Sequence, residues 1–282
     1  MRVAVALGLI VVLTGRVAPA AFRQDGRSGR PPVVTERSDM LAHSPLAGCD
    51  DDARGRAPER SRIATWNIRA ARSAPLGALT AELRAMQADV IALQEVDVRT
   101  RRGGFVDEPA ALATALGFHY AFAASIKWDE GDYGLAVLSR WPLTDVRRHR
   151  LDTTEPGEPR IVLEVVVCAS GRPLRVFNHH ADRRAPARQA AFARLQEIVA
   201  ARMGTGILVL GDLNEAPDAP NVRALTGAGL VDLGARRNER TGGGGRIDYV
   251  LADAPLARRL SPAWVWPTDK SDHAAVLVDL EW

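Results

Sequence analysis

Asp212 and Asn214 stand two residues apart at the end of the apolar run GILVLGDLN, a spacing that in extended backbone puts a carboxylate and an amide on one face. Such a pair can hold a water beside a phosphoryl oxygen; an Asx turn closing the strand is the competing reading. Glu95 ends the apolar run of IALQEV, where an unpaired buried carboxylate costs on the order of several kcal/mol and a cation is a natural partner. A plain rim residue is the alternative there. Asp272 and His273 precede the last apolar run and join a metal-ligand type to an acid–base group that titrates near neutrality. Asp248, set among the apolar residues of IDYVL, would be a costly isolated charge unless it orients a histidine. In VFNHH, alternation puts Asn178 and His180 on one face and His179 on the other, so one of the two histidines faces the site.

Positioning these groups requires a scaffold of short strands and amphipathic helices, and the chain reads that way beyond Arg62. IATWNI and ADVIALQEV read as buried strands around a helix near Leu76 to Gln87, followed by a helix near Pro109 to Leu116. Strands are expected over His119–Ser125, Gly134–Ser139, Arg160–Cys168 and Leu174–His180, then a helix over Ala185–Arg202 with Phe192, Leu195, Ile198 and Val199 on its apolar face. GILVLGD, a helix near Asn221 to Thr226, IDYVL and AAVLVDL complete the series, with Trp264 and Trp266 in a further strand that reads as core packing. Acids follow several apolar runs directly, and strand ends of layered α/β proteins are where rigid sheets present side chains to loops. There is no repeat. Gly242 to Gly245 has neither a Lys-Ser/Thr after it nor an apolar strand before it, so it reads as a flexible loop rather than a phosphate cradle.

At 282 residues the chain suits one catalytic domain with an N-terminal extra. Residues 1–20 have a basic start, an apolar run too short to span a membrane comfortably, and small residues before Ala20, which is the pattern of an export signal and implies a secreted or periplasmic protein. Residues 21–60 are rich in Arg, Asp, Gly, Pro and Ser and read as a disordered tether to a catalytic domain over 61–282. Leu46-Ala-Gly-Cys49 spells a lipoprotein box but lacks an apolar core in front, so anchoring at Cys49 is not expected. Cys49 and Cys168 either pair after export or leave Cys168 as a small apolar residue ending its strand, and the second is preferred because Cys49 falls in the tether. The whole chain carries +3 and the part after Arg60 only +1, which is no general footprint for nucleic acid. Clusters such as Arg99-Thr-Arg101-Arg102, Arg147-Arg148-His149-Arg150 and Arg236-Arg237 read as solvated surface, a local basic groove being the other option.

TWNI, LQEV, DYGLAVLSR, GDLN and the terminal SDH occur in the order and approximate spacing of the endonuclease/exonuclease/phosphatase superfamily, which the chain resembles from about Ile63 to Leu280. The resemblance implies a four-layer α/β sandwich, two packed mixed and largely antiparallel β-sheets flanked by helices. It further implies that Asn67 and Glu95 form the metal-side pair, Glu95 as ligand and Asn67 holding phosphate or metal-bound water, with Asp272 a further metal carboxylate. Asp212 and Asn214 resemble the pair that aligns the attacking water, His273 supported by Asp248 the residue poised at phosphorus, and His180 the second phosphate-stabilising histidine. His179 and Ala181 depart from the family's Thr-His-Leu triplet on either side of His180. Tyr133 and Arg160 match an aromatic and a basic position near the phosphate.

Those residues amount to an expectation of phosphodiester hydrolysis with Mg²⁺ or Mn²⁺, since carboxylate oxygens suit a hard cation. The expected partner is a phosphodiester, nucleic acid or a phospholipid headgroup among the options, met by a monomer without a stable membrane span. A lipid or small-molecule phosphoesterase is the alternative enzyme. A phosphate-binding protein on an inactive scaffold is the alternative class, disfavoured because every polar position is filled by a competent residue.

Overall fold

The computed structural model describes Cys49 and residues 59–151, 156–169 and 171–282. The expected export signal and most of the expected tether lie outside the described residues. In chain order the elements are β1 (Arg60–Asn67), α1 (Leu76–Met86), β2 (Val90–Val98), α2 (Glu108–Leu116), β3 (His119–Trp128), β4 (Gly131–Ser139), β5 (Leu143–Arg150), β6 (Ile161–Ala169) and β7 (Arg172–His180). Then follow α3 (Ala185–Ala200), β8 (Ile207–Asp212), α4 (Pro220–Gly227), β9 (Leu230–Asp232), β10 (Asp248–Asp253), α5 (Ala254–Ala257), β11 (Trp264–Trp266) and β12 (Ala275–Glu281).

The strands form two six-stranded sheets, ordered β11-β12-β1-β2-β4-β3 and β5-β6-β7-β8-β10-β9. All neighbours pair antiparallel except β1 with β2 and β7 with β8. Each parallel pair needs a crossover, and α1 and α3 supply it. Strand alternation divides the core into three layers of apolar side chains. Ile63, Val90, Ala92, Leu163, Val176, Leu208 and Leu210 fill the space between the sheets. Trp66, Ile91 and Leu93 face outward against Leu79, Leu83 and Met86 of α1, while Phe177, Ile207 and Val209 pack on Phe192, Leu195 and Ile198 of α3. The i, i+4, i+7 spacing of the α1 residues is the stripe that buries one helical face. The result is the four-layer α/β sandwich expected of the resemblance.

Polar side chains inside this core set the mutual position of the sheets. Gln94 Nε2 donates to Thr65 Oγ1 at 3.0 Å and across the sheets to Asn178 Oδ1 at 2.7 Å, and Asn178 Nδ2 donates to the carbonyls of Leu93 and Ala136, both at 2.9 Å. A one-residue slip would leave these dry donors unpaired, which makes the register costly to change.

Three expectations are corrected. The Arg147-Arg148-His149-Arg150 cluster is only partly a solvated surface: Arg150 is exposed, but the cluster lies in β5, where Arg147 bonds Asp145 at 2.7 Å and His149 bonds the fully buried Glu164 of β6 at 2.6 Å. Arg175 closes on the same Glu164 from β7, so part of this charge is paired within the sheet rather than left to water. Glu95 does not end its strand, because β2 continues to Val98 past a bulge between Leu93 and Val96. Cys168 lies one residue before the end of β6 and, against the preferred expectation, is joined to Cys49 by a disulfide across 119 residues of sequence.

Glu108 opens α2 fully buried, accepting the Asp97 N–H at 2.9 Å. Burial is the main cause that raises its carboxyl to about 7, Asp97's charge adding to it while the Asp97 N–H and Arg102 oppose. A carboxyl raised above its unfolded value of 4.5 binds its proton more tightly in the fold, so its contribution is intact below pH 4.5 and is lost as pH rises through 7. Glu108→Gln keeps an acceptor for Asp97 and removes the titration. Its urea-unfolding stability is expected to exceed the wild type by about 1–3 kcal/mol at pH 8 and to match it at pH 4.5; equal stability of the two proteins at pH 8 would refute this.

Candidate active site

Parallel strands end on the same side, so the β1–α1–β2 and β7–α3–β8 units deliver four side chains to one edge of the sandwich. Asn67 ends β1, Glu95 sits on the β2 bulge, His180 ends β7 and Asp212 ends β8. The two halves meet at Asp212, of which 1% is exposed. Its Oδ2 accepts from Asn67 Nδ2 at 3.2 Å and lies 3.4 Å from His180 Nε2 and 3.7 Å from His273 Nε2. Burial, followed by the charge of Asp248, pushes the Asp212 carboxyl up, with His273, the Asn214 N–H and Asn67 pulling the other way.

The two histidines are prepared in opposite protonation states. Arg160 donates to His180 Nδ1 at 3.0 Å, and since a guanidinium only donates, Nδ1 accepts and the ring proton sits on Nε2. Burial and then the Arg160 charge keep His180 neutral, well below the ordinary imidazole value. His273 is also buried, which works against its charge, but the 2.9 Å bond to Asp248 and the charges of Asp248, Asp212 and Asp272 outweigh burial and raise it to about 9. His179 turns away, its ring edge-on to Phe192 beneath α3, so His180 is the histidine that faces the site.

His273 is held on four sides. Its carbonyl accepts Trp66 Nε1 at 3.0 Å, its N–H reaches Ser271 Oγ at 3.3 Å, and Asp248 takes Nδ1. The fourth side is Gly242, where a Cβ would stand 2.6 Å from Nδ1 and 2.7 Å from Cε1. The glycine run is thus no mere flexible loop: its first member is the flat wall against which the imidazole rests. Thr241 adds to the frame, its Oγ1 accepting the N–H groups of Ile247 and Asp248 at 3.1 and 3.0 Å. Gly242→Ala is expected to push the ring off Asp248 and lower kcat by about tenfold or more, with a urea midpoint close to wild type, since only one side chain needs to move. Unchanged kcat would remove Gly242 from the frame.

The remaining expected residues are distributed as follows. Asn67 presents nitrogen to the acids, donating to Glu95 Oε1 at 3.0 Å while its oxygen accepts the Arg69 N–H at 3.0 Å, a geometry for orienting carboxylates or a phosphoryl oxygen rather than for ligating a cation directly. Asn214 does not share a strand face with Asp212: β8 ends at Asp212 and Asn214 has φ 51°. Its N–H bonds Asp212 Oδ1 at 2.9 Å as an Asx turn does, and its Nδ2 bonds the Ala181 carbonyl at 3.0 Å. Asp272 is half exposed, 3.3 Å from Arg69 Nε. Tyr133 lines the cleft beside Glu95, and burial raises its phenol. Arg160 pairs with Glu158 at 3.0 Å behind His180.

Among the described residues, Asp212, Asp248 and His273 form a group whose ligand atoms all lie within 4.8 Å of one another, which meets the donor count for a metal ion. Asp248 Oδ1 is buried without a hydrogen-bond partner. Nothing in the sequence singles out Thr241, Trp128 or Arg183, while Gly242 reads there as a flexible loop and Arg102 as solvated surface or a basic groove; only the fold brings these residues to the site.

A profile of the Endonuclease/Exonuclease/phosphatase family matches residues 64–273. YbhP, an uncharacterized protein of Escherichia coli, is 28% identical over 220 residues, covering 70% of this chain and 85% of that protein. Similar solved structures include an endonuclease/exonuclease/phosphatase from Beutenbergia cavernae, with TM-score 0.65, 22% identity and coverage of 79% of this chain and 72% of that one. A 3′ phosphatase from Neisseria bound to a product DNA hairpin has TM-score 0.63 and 22% identity, with 79% of this chain and all (100%) of that one covered. A mannosyl-6-phosphatase of Bacteroides thetaiotaomicron has TM-score 0.63 and 17% identity over 79% of this chain and 100% of that one. At these identities the structures speak for the fold.

Proposed function

The chain belongs to the endonuclease/exonuclease/phosphatase family, and from that premise we propose that it is a metal-dependent phosphodiester hydrolase working outside the cytoplasm. The observation that carries this reading is the convergence of His180 Nε2, His273 Nε2 and Asn67 Nδ2 on Asp212 Oδ2. Three donors around one carboxylate suit a site that binds phosphoryl oxygens on the donors while the carboxylate takes the proton of an attacking water.

In this reading Asp212, whose proton affinity burial has raised, orients and deprotonates the water. Neutral His180 donates its Nε2 proton to a phosphoryl oxygen, and Arg160 fixes the tautomer that allows it. His273, cationic and aligned by Asp248, neutralises charge that grows on the phosphoryl oxygens as the water attacks, and the electron pair of the breaking ester bond departs with the leaving oxygen. Asn67 holds Glu95 and Asp212 at their working separation, and the Asn214 turn fixes the far oxygen of Asp212.

A divalent cation, Mg²⁺ or Mn²⁺, would be held by Glu95 and Asp272, whose oxygens suit a hard ion, and would polarise the phosphate when bound. The Asp212, Asp248 and His273 group is the weaker candidate, because Nδ1 of His273 is already bonded to Asp248 and the imidazolium repels a cation. The Cys49–Cys168 disulfide supports an oxidising compartment and, with the signal-like residues 1–20, export. No helix among the described residues is long and apolar enough to cross a membrane.

The test is an activity panel with Mg²⁺, Mn²⁺ and chelator on bis-(p-nitrophenyl) phosphate, plasmid DNA and sphingomyelin. Hydrolysis of the aryl diester that chelator abolishes is the expected result. No turnover on any substrate with either metal would leave the binding-protein alternative standing.

A further inference from the structure

Next to Glu95 and His180 opens a cleft of about 250 Å³, lined by Ile126, Trp128 and Tyr133 together with Arg72, Arg160 and Arg183. Trp128, the last residue of β3, is 49% exposed, among the largest apolar surfaces that the described residues leave in water. A single exposed apolar residue is ordinary by itself; this one borders the cleft that opens beside Glu95 and His180.

The exposed ring is also held still. The hairpin tip beside it places Asp129 and Glu130 at φ 48° and 70°, and Gly131 lies against the carbonyl of Val98 more closely than any Cβ permits. The tip is tied down by Arg101 N–H to Asp129 O at 2.8 Å and Arg102 N–H to Asp129 Oδ2 at 2.6 Å. The Arg102 guanidinium, gripped by both oxygens of Asp97 at 2.6 and 2.7 Å, sits 5.6 Å from the Trp128 ring and 5.5 Å from the Tyr133 ring and braces them. A pre-ordered aromatic face loses little entropy when a ligand stacks on it.

The lip that carries Arg183 is equally built. Asp182, 4% exposed, accepts the N–H groups of Glu158 and Arg184, both at 2.7 Å, and so binds the two segments that flank the cleft. Between them Arg183 is exposed and has no ion pair among the described residues. Arg102 and Arg160, by contrast, are committed to Asp97 and Glu158. Arg72 also lines the cleft but approaches Glu95 at 3.8 Å, which leaves Arg183 as the lining guanidinium without an acidic partner among the described residues; the cleft thus offers too little free charge for tracking a polyphosphate backbone. It suits a flat ring with a polar edge, and a volume below the 300–1,000 Å³ or so of drug-sized sites suits one ring only.

We infer that this cleft is a subsite for a single planar unsaturated ring of the nucleobase type, carried on the phosphate, which stacks on Trp128 and turns its polar edge to Arg183. The inference rests on the phosphoesterase reading for the phosphate itself and adds what lies across the ester bond. Its test is binding, read in chelator so that turnover does not enter. Uridine 5′-monophosphate and ribose 5-phosphate share the phosphate and the sugar, so the ratio of their dissociation constants by calorimetric titration isolates the ring. The nucleotide is expected to bind roughly 5- to 100-fold tighter, as one stacked base contributes. Trp128→Ala is expected to bring the ratio to one and Trp128→Phe to restore most of it. Equal binding of the two ligands by the wild type, absence of binding by both, or a ratio that Trp128→Ala leaves unchanged would overturn the subsite. A 5′-phosphorylated trinucleotide binding more than tenfold tighter than the mononucleotide would overturn its limit to one ring. Failure of the phosphoesterase reading would show separately, as absent hydrolysis of bis-(p-nitrophenyl) phosphate with metal.

Discussion

Asp212→Asn and His273→Ala are each expected to lower kcat by on the order of a hundredfold or more on an aryl phosphodiester while the protein stays folded. The Asn variant keeps an oxygen for the Asn214 N–H but sets an amide NH2 where Oδ2 faces Asn67 Nδ2, His180 Nε2 and His273 Nε2, so it loses the group that accepts a proton and leaves those donors without their acceptor. Relief of the repulsion between Asp212 and Asp248 offsets part of that cost, so its stability is expected to fall by no more than about 1–3 kcal/mol. His273→Ala removes the cation but leaves Asp248 alone in a dry site, so it is expected to lose some stability as well. Because Asp248 acts through His273, Asp248→Asn added to His273→Ala is expected to cost little more in kcat than His273→Ala alone. Full metal-dependent turnover by either single variant would end the assignment.

Glu95→Gln is expected to raise the Mg²⁺ concentration for half-maximal activity by tenfold or more and to lower kcat at saturating metal. The substitution preserves shape and an acceptor for Asn67 Nδ2, so any loss reports charge. Glu95 occupies the bulge of β2 at φ 53°, a conformation that costs a non-glycine residue roughly 1 kcal/mol or more and persists where the surroundings over-determine it. Metal titration of Glu95→Gln beside His273→Ala separates the two donor sets. If the His273 variant shifts the metal midpoint and the Glu95 variant does not, the ion belongs with Asp212 and Asp248 instead.

Much of this site is legible as sequence because each group follows an apolar run. TWN, LQE, NHH and GD are strand ends or strand turns by pattern alone, and parallel pairing then delivers Asn67, Glu95, His180 and Asp212 to one edge. Asp248 was readable as a charge too costly to stand alone, and its partner is His273, 25 residues away. Alternation separated His180 from His179. It failed at Asn214, where the strand had already ended and a turn with positive φ replaced the extended backbone that the argument assumed.

What the sequence determined by itself is therefore the set of reactive groups and the layered scaffold, since both follow from local period and from the cost of placing polar atoms in apolar runs. Only the tertiary structure decided the protonation states of the two histidines, which depend on Arg160 and Asp248 arriving from other strands. It also decided that Gly242 is a wall, that His149 and Glu164 pair between β5 and β6, that Cys49 and Cys168 join, and that Trp128 and Arg183 line one cleft. Each of these is a relation between residues far apart in the chain. Charge, burial and close contact are set by what the fold places within a few ångströms, and the local sequence carries no record of those neighbours.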